Sequence, residues 1–170
     1  AMELFSMNHW QAFFDNDADL KRAREHQLER TITIFPWIAI IDKFQHWVYE
    51  NPAHTVAERT ATWTAILKEF STNSIDYTGL DAYREIGWQR QLHLFEVPFY
   101  YIEYGIAQLG AIGLWMQYQQ NPKQALQNYI KALSLGGTKT LPELYKAAGI
   151  EFNLSPDYIK TLMEFTAKEM

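Results

Sequence analysis

Ile32-Thr33-Ile34-Phe35-Pro36-Trp37-Ile38-Ala39-Ile40-Ile41-Asp42-Lys43-Phe44-Gln45-His46-Trp47-Val48-Tyr49 contains the longest apolar run of the chain, Ile32 to Ile41, interrupted by Thr33 and Pro36. Ile34, Trp37, Ile38, Ile41, Phe44 and Val48 recur at three and four, the spacing that aligns side chains on one face of an α-helix. The pattern extends from about Ala18 to Tyr49, and Asp15-Asn16-Asp17 before it supplies turn and N-cap chemistry. Pro36 lies inside this helix and lacks an N–H, so it is expected to kink or divide it. Thr31 to Phe35 is rich enough in β-branched residues for a strand, but its place between helical stripes argues for helix.

The same periodicity covers the rest of the chain. Leu4, Phe5, Asn8, His9, Ala12 and Phe13 mark one face of a first helix. Asn51-Pro52 ends the long one, and Thr55 with Glu58 forms a capping-box pattern ahead of Trp63, Ile66, Leu67 and Phe70. A loop from Ser71 to Gly79 and a short helical stretch from about Tyr83 to Leu92 follow. Pro98 suits the start of a helix running to Tyr118, with Gly105, Gly110 and Gly113 in its interior. Each interior glycine costs roughly 1 kcal/mol relative to alanine, so a closely packed neighbour is expected there. Asn121-Pro122 opens a helix that Gly136-Gly137 closes, while Leu141-Pro142 and Ser155-Pro156 open two terminal helices. No repeat, low-complexity tract or linker interrupts residues 1–170, which predicts one all-α unit.

Composition narrows the function. The 170 residues carry 15 Lys+Arg and 20 Asp+Glu, a net charge of −5, against the clustered positive charge that phosphate backbones require. The densest basic stretch, Lys21-Arg22-Ala23-Arg24, is followed at once by Glu25 and Glu29, as on a solvated helix face. Nucleic acid is therefore not an expected partner. Hydrophobic residues make up 48% and aromatics 15%, too many for a disordered chain. With no cysteine there is no disulfide framework, thiolate metal site or cysteine nucleophile. The apolar run of about ten residues falls short of the roughly 20 that a membrane span needs. Ala1-Met2-Glu3-Leu4-Phe5 lacks the basic region of a signal peptide, and the absence of cysteine makes the cytoplasm the expected compartment. The chain also starts inside an apolar pattern with no capping residue, as if a helix had been cut.

Metal motifs are quickly tested against five histidines. Four positions after His9, His26, His46, His54 and His93 stand Phe13, Arg30, Glu50, Glu58 and Val97, so no His-Glu-x-x-His helix is present. Glu-x-x-His pairs are absent too. Asp42, His46 and Glu50 share a helix face, better explained as a polar stripe with helical ion pairs than as a metal site. Neither a Gly-x-Ser-x-Gly elbow nor a phosphate-binding glycine loop occurs. What remains is His93-Leu94-Phe95-Glu96-Val97-Pro98-Phe99-Tyr100-Tyr101-Ile102-Glu103-Tyr104. Tyr100 and Tyr104 stand at i and i+4, with Tyr101 adjacent and His93 just upstream. Two readings are open: aromatic core, or a group of donors turned into a cleft to hold a peptide carbonyl or an oxyanion.

Pro98-Phe99-Tyr100-Tyr101-Ile102-Glu103-Tyr104, continued by Gly105-Ile106-Ala107-Gln108-Leu109-Gly110-Ala111, resembles the C-terminal signature of the oligoendopeptidase F type of zinc metallopeptidases, relatives of thimet oligopeptidase. Met2-Glu3-Leu4, Phe35-Pro36-Trp37 to Trp47, and Leu141-Pro142-Glu143-Leu144 to Ala148-Gly149-Ile150 resemble further blocks of that family. The resemblance implies a multi-helix portion of a zincin-like helical oligopeptidase catalytic domain. It also implies that the zinc ligands lie upstream of Ala1, so that this chain holds none of them and is inactive alone.

On the same basis the intact enzyme would hydrolyse short peptides with zinc activating a water. His93, Tyr100 and Tyr104 would act on substrate and tetrahedral intermediate, and Tyr101 would contribute to substrate binding. Glu3 would stand behind the third zinc ligand. Partners implied are short peptides and the upstream part of the same peptidase, and an isolated piece exposing an apolar face is expected to dimerise. The alternative is a non-catalytic helical module that binds peptides or a partner.

Overall fold

Asn16 opens the long helix. Its side-chain oxygen accepts the Asp19 N–H at 2.9 Å, and α2 then runs over Asp17–Glu50 with Pro36 inside it. This computed structural model describes residues 1–72 and 74–170. Pro36 does not divide α2: Ile38, Ile40, Ile41 and Phe44 just beyond it are buried. Burying a side chain of that size stabilises by about 1.5–3 kcal/mol, which together exceeds the roughly 3 kcal/mol cost of an interior proline.

The first helix is shorter than its periodicity predicts. α1 covers Met2–Ser6 and gives way to a 3₁₀ turn over Met7–Ala12. Ser6 sits at the change, its hydroxyl donating to the Glu3 carbonyl at 2.8 Å and accepting the Trp10 indole N–H at 3.0 Å, local bonds that compete with the α-helical ladder. α3, Val56–Phe70, begins with the predicted capping box. The expected loop 71–79 includes Asn73, which lies outside the described residues.

The stretch expected to be helical from Tyr83 to Leu92 is split into α4 (Asp81–Glu85), a 3₁₀ turn over Gly87–Arg90, and α5 (His93–Glu96). The indole N–H of Trp63 donates to the Arg84 carbonyl at 2.8 Å, occupying the acceptor that a continuing helix would offer to Trp88. α6 covers Ile102–Gln120, so Pro98 does not start it. Phe99 intervenes with φ 59°, a conformation that ends helical propagation. The predicted starts then recur, with Asn121 capping α7 (Pro122–Ser134) and Ser155 capping α9 (Pro156–Lys168), while α8 (Leu141–Ala147), expected from Leu141-Pro142 alone, opens with a Thr140–Glu143 capping box. Among the described residues there is no strand, and no helix is long and apolar enough to cross a membrane.

The helices build two compact units, Thr33–Gly105 and a second one made of Ala1–Ile32 with Ile106–Met170. The second buries Leu4, Phe5, Leu28, Ile112, Trp115 and Leu162. Phe5 stacks on Tyr118 at 4.5 Å, and Phe165 meets Trp115 edge-on at 4.8 Å. Here the glycines of α6 have the close neighbours their cost predicts. Tyr145 lies against Gly110 and donates to the Ile106 carbonyl at 2.7 Å, while Tyr158 and Ile150 approach Gly113. The first unit centres on Ile41, Phe44 and Trp63, with Trp37, Trp88 and Tyr101 packed around them. In that unit Ile38 lies 3.4 Å from where a Cβ on Gly105 would stand.

Candidate functional site

The cluster singled out in the sequence assembles within the unit Thr33–Gly105. His93 is the first residue of α5, Tyr100 and Tyr101 follow the turn at Pro98-Phe99, and Tyr104 sits in the first turn of α6. Phe99 sets this arrangement. A bulky residue at positive φ costs of order 1–3 kcal/mol and persists only where its surroundings hold it. Three contacts do so: the Phe99 N–H donates to the Oε1 of buried Gln45 at 2.8 Å, and the ring packs on His46 and Tyr49 with centroids 4.8 and 4.9 Å away.

His93 is the hub. Its Nε2 lies 3.1 Å from the Tyr104 hydroxyl, and its Nδ1 lies 2.7 Å from the Gln91 amide nitrogen. The Tyr101 and Tyr104 rings meet the imidazole edge-on at 5.0 and 5.6 Å, and Tyr100 lies parallel to it at 6.3 Å. Tyr100 and Tyr104 themselves touch edge to face at 5.8 Å. They are 49% and 42% exposed, so these two phenols lie at the surface of this chain and not in its core. Tyr101 is half-buried. Burial pushes its hydroxyl pKa above the ordinary 10.0, the Trp37 side chain opposes that shift, and Tyr104 adds to it.

Sequence reasoning missed Gln91 and Trp37. The Trp37 indole N–H donates to the Gln91 Oε1 at 3.2 Å across 54 positions of sequence, and no local pattern links residues so far apart. It also missed a cleft of about 460 Å³ beside the cluster, lined by Trp37, Ile40, Trp63, Tyr77, Arg84 and Arg90 among others. Arg84 stacks over Tyr77 at 4.1 Å and Arg90 over Trp37 at 5.1 Å. His93 and the tyrosines lie outside its lining.

Glu3 belongs to the other unit. Its exposed carboxylate accepts from the Gln27 amide at 3.4 Å. The polar stripe of α2 forms a pair, with His46 Nε2 3.6 Å from Asp42 Oδ2. Among the described residues no three His, Asp or Glu side chains are grouped to hold a metal ion.

The profile of peptidase family M3 matches residues 1–164. The chain belongs to this family. Two solved structures are similar to it. PZ peptidase A, determined with an inhibitor, has 31% sequence identity and a TM-score of 0.84 over 98% of this chain and 30% of its own. A protein provisionally described as an oligoendopeptidase F has 32% identity and a TM-score of 0.76 over 89% of this chain and 27% of its own. This M3 chain therefore spans under a third of the length of either structure. Among curated proteins, none matches it. The all-α architecture is that of the helical parts of those M3 structures.

Proposed function

We propose that this chain is the C-terminal portion of a zinc-dependent M3 oligoendopeptidase that hydrolyses short peptides, and that His93, Tyr100 and Tyr104 act on the substrate at the reacting carbonyl. Tyr101 adds a further substrate contact. The observation that carries the reading is the convergence of one imidazole and three phenols, two of them exposed, in a chain of family M3. Hydroxyl and imidazole donors on a partly dry aromatic surface suit a peptide carbonyl. They hold it more strongly once it becomes a tetrahedral oxyanion, because charge then develops on the oxygen.

Among the described residues no three His, Asp or Glu side chains are grouped to hold a metal ion, and in this proposal the zinc that would activate the attacking water is held by residues outside this chain. The upstream part of the same peptidase is the partner this requires. Glu3 is proposed to support the metal site by orienting a ligand.

Kinetics of the complete peptidase with a short quenched-fluorescence peptide test the assignment. Tyr104→Phe and His93→Gln are each expected to lower kcat and kcat/KM together by about 10- to 1000-fold, as for a lost oxyanion donor. Wild-type kinetics in both variants would remove the cluster from the mechanism. Saturable peptide binding by the chain, with hydrolysis untouched by these variants, would favour a binding module.

A further inference from the structure

Trp37 has an indole N–H and no acceptor. It faces the Gln91 Oε1 at 3.2 Å. A carboxamide turned the other way would set its NH₂ against a second donor, so the Gln91 amide stands one way round. Its nitrogen therefore faces His93 Nδ1, 2.7 Å away. An NH₂ group only donates, so Nδ1 accepts. A neutral imidazole whose Nδ1 is bare carries its hydrogen on Nε2, and Nε2 is the atom 3.1 Å from the Tyr104 oxygen.

The direction of this last bond matters. With the hydrogen on Nε2, the Tyr104 oxygen accepts and its own hydrogen is turned away from His93. With the hydrogen on Nδ1 instead, Nε2 would take the phenolic hydrogen, and Tyr104 would present lone pairs to an approaching oxygen. An oxyanion is stabilised by the first arrangement and repelled by the second.

We infer that Gln91, held by Trp37, is a positioning residue that fixes His93 in its Nε2–H form and so turns the Tyr104 O–H outward as a donor to a substrate oxygen. The inference rests on the reading above, that His93 and Tyr104 face the peptide. The relevant ligand atom is a carbonyl oxygen or the oxyanion derived from it.

Two measurements test it. The first is ¹⁵N NMR of the full chain labelled at histidine, with the His93 signals identified by their loss in His93→Gln. A hydrogen-free Nδ1 and a protonated Nε2 are expected in the neutral ring. A neutral ring with its hydrogen on Nδ1 overturns the inference, and this readout needs no variant at position 91 to fold. The second compares Gln91→Leu and Gln91→Glu in the complete peptidase. Gln91→Glu keeps the size and the acceptor for Trp37 but replaces the donor to Nδ1 by an acceptor.

Both variants are expected to lower kcat by about 10-fold while KM moves by less than about threefold, and Gln91→Glu should also place a hydrogen on Nδ1 in the spectrum. If His93→Gln and Tyr104→Phe slow hydrolysis but both Gln91 variants keep wild-type kcat, the inference falls and the site assignment stands. If His93→Gln and Tyr104→Phe also keep wild-type kinetics, both fall.

Discussion

A Cβ placed on Gly110 would stand 2.6 Å from the hydroxyl oxygen of Tyr145 and 2.9 Å from its Cζ. The tyrosine cannot swing aside without losing its 2.7 Å hydrogen bond to the Ile106 carbonyl. Alanine gains about 1 kcal/mol in helix propensity over glycine, but overpacking a filled site costs about 1–3 kcal/mol. Gly110→Ala is therefore expected to lower the urea midpoint. Gly137→Ala, where a Cβ meets nothing within 4 Å, should stay within about 0.5 kcal/mol of wild type. Equal midpoints for the two variants would contradict the packing described for α6.

The Phe99 turn depends on Gln45. Gln45→Met fills similar space but removes the acceptor of the Phe99 N–H, and an unpaired donor costs about 1–3 kcal/mol. Hydrogen exchange at the Phe99 amide should accelerate in this variant. The contacts between His93 and Tyr104 should loosen with it, giving a rise in KM and a fall in kcat of the complete peptidase. Unchanged amide exchange would show that the turn is held by other means.

Both capping boxes set a pH dependence. Backbone N–H donation from Thr55 holds Glu58 below its ordinary carboxyl value of 4.5, and donation from Thr140 does the same for Glu143. A depressed folded-state pKa stabilises the fold above the unfolded value, and that stability is lost as pH falls through the folded value. Urea midpoints should therefore drop as pH falls below about 4.5. The slope should be shallower in Glu58→Gln combined with Glu143→Gln, whose amides accept the same bonds without titrating. Parallel pH profiles would count against the boxes as the source.

Tyr101 acts at the other end of the scale. Its hydroxyl is raised above 10.0, chiefly by burial, so the stability it contributes is complete below 10.0 and lost as pH rises through its folded value. Ultraviolet titration should show a late-ionising phenol that is missing in Tyr101→Phe. Loss of an early-ionising phenol in that variant would reverse the assigned direction.

Local chemistry was legible where its consequences are local. Thr55 with Glu58, Asn121-Pro122 and Ser155-Pro156 mark helix starts because each cap closes its bonds within three residues. The glycines of α6 announced a close neighbour, but not that tyrosines from α8 and α9 would supply it. The errors came from distant partners. Pro98 reads as a helix start until Gln45 takes the Phe99 N–H, and Tyr83 to Leu92 reads as helix until Trp63 takes the Arg84 carbonyl. His93 and the tyrosines could be found because they crowd one short segment, whereas Gln91 gains its meaning from Trp37, far away in sequence on α2.

A file of amides and hydroxyls is ordinarily reversible, since each member can give or take and the whole file can turn about. The file from Trp37 through Gln91 and His93 to Tyr104 begins with a ring that can only give. Its sense is thereby set at the half-buried Trp37 end, and whatever meets the Tyr104 hydroxyl from outside finds a polarity already chosen. A tyrosine or histidine at position 37 could fill much of the same space and still make the file two-way.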